Sequence, residues 1–260
     1  MTPMLRLRQI ALVAHDLEPV VDDLQGVFSL GTPYNDPGVA TFGLRNAVIP
    51  AGHQFIEVVA PVREGTAGGR YLERRDGDGG YMVILQCDDH PSVKRRVDEL
   101  GVRKVVEHDS DHYCIMQLHP RDTGGSFLEI DVQHGGEAID GPWEPAGPNW
   151  QEHRSDTLLA VTAAEIQSDE PDVLAARWSA ILDRPVVSVG GTASIRLDNA
   201  VIRFVAATDG RGEGLGGIDV TVRPDVLNAV ARRAVERQLT KTAEPTVAMI
   251  GGLRITVAPC

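Results

Sequence analysis

The feature that most constrains this chain is a strand–helix–meander pattern that recurs along its length. Residues 5–14 read as an apolar strand ending at the polar corner His15-Asp16. Asp16 is placed to cap an amphipathic helix over residues 17–30, and Gly31 to stop it. Residues 39–49 and 53–61 follow as two strands joined by the turn Pro50-Ala51-Gly52. A second unit repeats the order. It has a strand over 81–87, a corner at Asp88-Asp89, a helix over 91–100 stopped by Gly101, and strands over 102–107, 112–119 and 126–133.

The pattern restarts in the second half. Residues 158–166 read as a strand, and 172–182 as a helix that contains Trp178. Strands over 193–197, 201–206 and 217–222, a helix over 224–238 and a terminal strand or hairpin over 248–258 complete it. Three segments match in the same order between the halves. They are 55–60 with 201–206, 80–83 with 217–220, and 128–132 with 253–257. The expected fold is α+β, with four βαβββ units forming two domains over 1–133 and 157–260. Residues 134–156, rich in Gly and Pro and without periodicity, read as the connection, with Trp143 and Trp150 anchoring it to a surface.

Charge and cysteine usage narrow the function. A net charge of -12 repels a phosphate backbone, which excludes nucleic acid as an expected partner. No apolar run approaches the roughly 20 residues that cross a bilayer, and Gln9, His15 and Asp16 interrupt the N-terminal apolar stretch, so no membrane partner or leader is expected. Cys87, Cys114 and Cys260 are few, odd in number and without CxxC spacing. They suit a reducing cytoplasm and argue against a disulfide framework or a cysteine zinc site.

Two segments resemble a known family. RQIALVAHDLEPVVDDLQGVFSLG is similar to the opening of a vicinal-oxygen-chelate module, the superfamily of glyoxalases, bleomycin-resistance proteins and extradiol dioxygenases. The run LHPRDTGG leading into SFLEI at 118–130 resembles the methylmalonyl-CoA epimerase branch, whose His-Pro-basic turn precedes a strand with a metal-binding Glu. FIEVVAP is similar to the strand carrying the other acidic ligand. The resemblance implies a curled sheet around a cavity. It also implies one divalent ion (Mg, Mn, Co, Fe, Ni or Zn) held by one side chain from each of four strands, and in many members a homodimer.

Carried over residue by residue, the ligands fall at Gln9, Met82, Glu57 and Glu129. Gln9 and Glu129 double as proton-transfer candidates. A Gln oxygen and two carboxylates are hard donors suited to these ions, whereas the Met82 thioether is not. The ion then has three protein ligands and added water, or His53, Gln86 or His112 replaces Met82, or no metal binds. In the second half the positions matching Glu57, Glu129 and Met82 hold Arg203, Arg254 and Asp219, and the first-strand position falls at Val161 or Thr162. Two arginines there repel a divalent cation and leave a structural role or an anion grip.

Three functions stay open on one scaffold. The first is a metal-dependent isomerase, epimerase or lyase acting on a small oxygenated acid or its CoA thioester. The second is an extradiol-type dioxygenase. The third is a non-catalytic small-molecule binding protein of the resistance type.

Overall fold

The computed structural model describes residues 3–240 and 246–260. Two seven-stranded mixed sheets hold the strands of the described residues. The first contains β1 (Leu5–Val13), β2 (Leu44–Ala51), β3 (Gln54–Pro61), β4 (Gly79–Cys87), β5 (Lys104–Asp109), β6 (Tyr113–Leu118) and β7 (Phe127–Gln133), in the order β2-β3-β1-β4-β7-β6-β5. The second contains β8 (Leu158–Ser168), β9 (Val186–Val189), β10 (Thr192–Arg196), β11 (Val201–Ala206), β12 (Gly214–Val222), β13 (Val247–Ile250) and β14 (Leu253–Pro259), ordered β13-β14-β12-β8-β11-β10-β9. Helices α1 (Leu17–Phe28), α2 (Ala67–Arg75), α3 (His90–Glu99), α4 (Pro171–Leu182) and α5 (Leu227–Glu236) connect them.

The duplication is visible in the pairing. β1 runs parallel to β3 and antiparallel to β4, and β8 runs parallel to β11 and antiparallel to β12. The units are not equally complete. The second and third carry three strands after the helix. The first carries two, with a single Tyr34–Val48 bridge where another strand would run. Pro33 and Pro37 flank that bridge and remove backbone donors a ladder needs. Residues 39–42, expected to open a strand, lie instead in a 3-10 helix over Pro37–Phe42 capped by Asp36, which accepts from the Gly38 amide at 2.8 Å. The fourth unit likewise shows two strands after its helix among the described residues. Helix α2 and strand β9 were not expected. Thr66 caps α2 by accepting from the Gly69 amide at 2.9 Å.

One apolar core joins the sheets. Leu7, Ile10, Leu12, Val83, Leu85, Leu128 and Ile130 of the first sheet meet Val161, Ile166, Ile218 and Val220 of the second, with helices α1, α3, α4 and α5 packed into the same cluster. Polar bonds fix the register between the halves. Gln54 donates to the Val161 carbonyl at 2.7 Å and accepts from the Val161 amide at 2.8 Å, and Asn199 does the same for Leu7 at 2.9 Å each way. Gly52 has φ +67°, and a Cβ there would lie 1.8 Å from the Leu159 carbonyl, so glycine alone fits this corner. A Cβ at Gly31 would meet the His153 carbonyl at 1.9 Å. Helix α1 itself stops two residues earlier, at Ser29 in the left-handed region.

Candidate active site

The opposite face of the first sheet is concave. Strand alternation points Phe55, Glu57 and Val59 of β3, Met82, Ile84 and Gln86 of β4, and Phe127, Glu129, Asp131 and Gln133 of β7 into it. A bulge in β1 between Leu7 and Gln9 lets Arg8 and Gln9 both reach this face.

Residues 134–156 do not skim a surface, as their composition suggests. They run back into the bowl and fill it. Trp143 and Trp150 are each 1% exposed. Trp143 stacks on Phe55 with ring centroids 6.5 Å apart, and Trp150 meets Phe55 edge-on at 5.0 Å. Arg8 lies within 5.5 Å of all three rings and donates to the carbonyls of His53, Ile139 and Gly141. Arg6 donates to the carbonyls of Gly136, Glu137 and Ala138. The strap is therefore bolted down by two arginines that alternate from one strand.

Gln9 and Glu57 come together. The Gln9 Nε2 donates to one carboxylate oxygen of Glu57 at 2.9 Å, and Asn46 Nδ2 donates to the other at 2.6 Å. Both amides are held in these orientations. Gln9 Oε1 accepts from the Trp143 indole N–H at 2.8 Å, and Asn46 Oδ1 accepts from the Asp36 amide at 2.9 Å. These donors favour the ionised carboxylate, but burial outweighs them. Burial, with the charge of Glu129 adding to it, pushes the Glu57 carboxyl up to about 7.

Glu129 faces the same bowl but makes no direct bond to this pair. Gln9 pairs with Ile84, and Ile84 with Glu129, so Gln9 and Glu129 share one row two strands apart, about 10 Å between backbones. Glu57 lies one row further, opposite Ala11 and on the row of Met82. Glu129 accepts from Gln117 Nε2 at 2.8 Å. Asp131, two residues on and on the same face, is held well above the usual carboxylate range by burial and by Glu129. The Tyr113 hydroxyl donates to Asp131.

The substitutes for Met82 fare differently. Met82 is buried in the bowl, its sulfur 3.9 Å from Gln117 Nε2. Gln86 shares its face, but both Arg6 and the Gly136 carbonyl hold it away from the carboxylates. His53 was expected beside Glu57. It sits instead in the β2–β3 turn, half-exposed, paired with Asp140 at 2.6 Å. His112 is an exposed residue of the β5–β6 turn whose carbonyl accepts from Gln133. Both histidines were assigned to strands that begin one residue after them, and that shift takes them off the face. Asn46, Asp131, Tyr113, Gln117 and Trp143 were missed. Asp131 was findable, because period-2 alternation puts it beside Glu129; the others have no local signal.

The second bowl holds a closed ion-pair network. Arg203 pairs with Asp219 through both nitrogens and with Glu165 at 3.2 Å, while Arg254 pairs with Glu165. One row across the sheet reads Arg203, Glu165, Gly217, Arg254. The first-strand residue among the arginines is thus Glu165, not Val161 or Thr162, and each arginine finds a carboxylate.

Residues 10–182 match the model of a family described as a glyoxalase-like domain. The chain belongs to the glyoxalase-like domain family. Among curated relatives, this glyoxalase-like protein is 24% identical to the ethylmalonyl-CoA/methylmalonyl-CoA epimerase of Cereibacter sphaeroides over 135 residues, 48% of this chain and 96% of the epimerase. Two solved structures share the fold. A hypothetical protein from Staphylococcus aureus superposes with a TM-score of 0.67 at 12% identity, covering 99% of this chain and 100% of the other. A mutant 4-hydroxymandelate synthase from Streptomyces coelicolor has a TM-score of 0.67 at 15% identity, covering 92% and 76%. No helix among the described residues of the glyoxalase-like chain is long and apolar enough to cross a membrane.

Proposed function

We propose that this glyoxalase-like protein is an isomerase or epimerase, or a lyase of the same type, that moves a proton at a carbon next to the carbonyl of a small oxygenated acid or its CoA thioester. The observation carrying this reading is the Gln9–Glu57 pair: a buried carboxyl poised to gain or lose a proton near pH 7, facing a second carboxyl at Glu129. The similarity to a CoA-thioester epimerase over 135 residues supports the substrate class.

The donor set fits a hard divalent ion with three protein ligands. Glu57 and Glu129 are buried carboxyls bonded by side-chain amides and, among the described residues, by no cation, and Gln9 adds an amide oxygen. Gln9, Glu57 and Glu129 would hold such an ion, which supplies charge to stabilise an enolate-like oxygen. The chain's own residues do the rest. Glu57 holds and moves a proton, with Gln9 and Asn46 fixing both of its oxygens. Gln117 keeps Glu129 oriented by donating to it, and Tyr113 orients Asp131 beside it. Trp143 and Trp150 exclude water from the pair. Since Trp143 holds the Gln9 oxygen, ion and indole compete for one acceptor. The proton chemistry suits a reducing cytoplasm, consistent with three free cysteines.

Metal content and proton exchange test this together. Protein purified without chelator is expected to carry a stoichiometric divalent ion, and Glu129→Ala to lose it. A metal content in Glu129→Ala equal to that of the parent protein refutes the ligand assignment. Deuterium wash-in from D2O into a panel of α-branched CoA thioesters and hydroxy acids should fall by about 10²–10⁴ in Glu57→Gln.

One observation favours a second reading, a metal-independent binding protein: the buried thioether of Met82, a poor ligand for a hard divalent ion, stands among the bowl's donors. Stoichiometric ligand binding that persists in chelator would select it. The dioxygenase reading gains nothing from the site, since β1, β3, β4 and β7 contain no histidine for a two-His iron centre.

A further inference from the structure

Away from the bowl, four potential ligands from four elements meet beneath the β5–β6 hairpin. His90 opens α3, Asp109 ends β5, Cys114 lies in β6, and His134 follows β7. His90 Nδ1 is 3.6 Å from Asp109 Oδ1, and Cys114 Sγ is 3.6 Å from His134 Nε2. The ligand atoms of His90, Asp109 and Cys114 all lie within 4.8 Å of one another. Around a tetrahedral zinc ion with bonds of about 2.0–2.3 Å, neighbouring ligand atoms stand roughly 3.3–3.7 Å apart. Two edges of such a tetrahedron are therefore already formed, and contraction by about 1 Å completes a third.

The surroundings suit this use. His90 Nε2 lies 3.0 Å from the Ile130 carbonyl, a contact only a protonated nitrogen makes. That fixes the tautomer with the Nδ1 lone pair toward Asp109 and Cys114, the orientation that outer-sphere carbonyls impose on metal-binding histidines. His90 and Cys114 are buried, while Asp109 and His134 are exposed and leave an entry path. Lys94 binds Asp109 through Oδ2, at 2.5 Å, and Glu107 at 3.1 Å. Oδ1 stays on the side of His90. The Cys114 sulfur also lies 3.7 Å from the Ser110 carbonyl.

We propose that His90, Asp109, Cys114 and His134 form a site for a borderline-soft divalent ion, zinc by its ligand set, that clasps the β5–β6 hairpin to α3 and the end of β7. Four protein ligands leave no open coordination position, so its role is structural. It differs in kind from the bowl, whose donors are oxygens and one thioether. No spacing motif announces it: cysteine count and the missing CxxC argue against a cysteine zinc site, yet one thiolate with two imidazoles and a carboxylate needs no such motif.

Cobalt substitution separates the two sites. Metal-free full-length protein titrated with Co²⁺ should develop a thiolate-to-cobalt charge-transfer band in the near ultraviolet with intense tetrahedral visible bands, and Zn²⁺ should erase both. The charge-transfer band should vanish in Cys114→Ser, and affinity should fall at least tenfold in His134→Gln, a change at an exposed position that leaves the fold intact. Both features should persist in Glu57→Gln and Glu129→Ala, which report on the bowl instead. Absence of the band in the wild type, or its survival in Cys114→Ser, overturns the proposal.

Discussion

Replacing Trp143 with Ala should lower the unfolding free energy by about 3–5 kcal/mol, the cost of emptying a large aromatic site in a packed core. Three losses add in that variant. The indole leaves Phe55 and Tyr113, whose centroids lie 6.5 and 5.5 Å away. Gln9 Oε1 loses its 2.8 Å donor in a site closed to water. Arg8, buried and pushed down to about 9 mainly by desolvation, loses one of the three ring faces that receive it. Trp143→Phe separates packing from polarity, retaining most of the volume and deleting the hydrogen bond for about 1–3 kcal/mol. Urea denaturation measures both. A Trp143→Ala unfolding free energy within about 1 kcal/mol of wild type would show that the strap is not packed as described. On the metal reading, Trp143→Phe frees the Gln9 oxygen and should tighten divalent-ion binding by calorimetry, while a weaker or unchanged affinity counts against competition between indole and ion.

The stability of chelator-treated protein should fall as pH rises from about 5 to 8. Folding lifts the Glu57 carboxyl from its ordinary 4.5 to about 7. At low pH both states hold the proton and full stability is present. As pH climbs past 4.5 the unfolded chain releases its proton and the folded chain keeps it, so stability declines. The loss is complete once the folded carboxyl ionises near 7, at about 3 kcal/mol from Glu57. Glu129 and Asp131 are raised too and act in the same direction. Glu57→Gln should remove the Glu57 share of the slope. The slope is the diagnostic, because an amide at 57 meets the donors of Gln9 and Asn46 and shifts the absolute value as well. A profile that is flat or rising between pH 5 and 8, or a slope untouched by Glu57→Gln, contradicts the burial of an uncompensated carboxyl. A bound divalent ion should abolish the decline, since its charge favours the ionised form.

Much of the scaffold was legible because it rests on local rules. Alternation in RQIALV and SFLEI, apolar spacing in helix α1 and the corner at Asp88-Asp89 all act over a few residues. Asp89 does cap α3, accepting from the Ser92 amide at 3.2 Å. Where a local rule had a local competitor, the reading slipped. The 3-10 helix that opens at Pro37 took residues 39–42 from an expected strand, and one-residue shifts moved His53 and His112 into turns. The candidate site was legible only in part. Gln9 and Glu57 were picked, and they touch; Glu129 was picked, and it bonds Gln117 instead.

Periodicity and composition by themselves determined that this chain folds as repeated strand–helix units with one apolar face to each sheet, because backbone alternation and helical spacing are properties of neighbours in sequence. Only the tertiary structure decided what lies in the bowl. Whether Glu57 is a solvated surface charge or a buried acid depends on Trp143 and Trp150, which approach it from some ninety residues away along the chain. Desolvation, the largest influence on that carboxyl, is set by atoms that surround it in space, and no short window of sequence contains them.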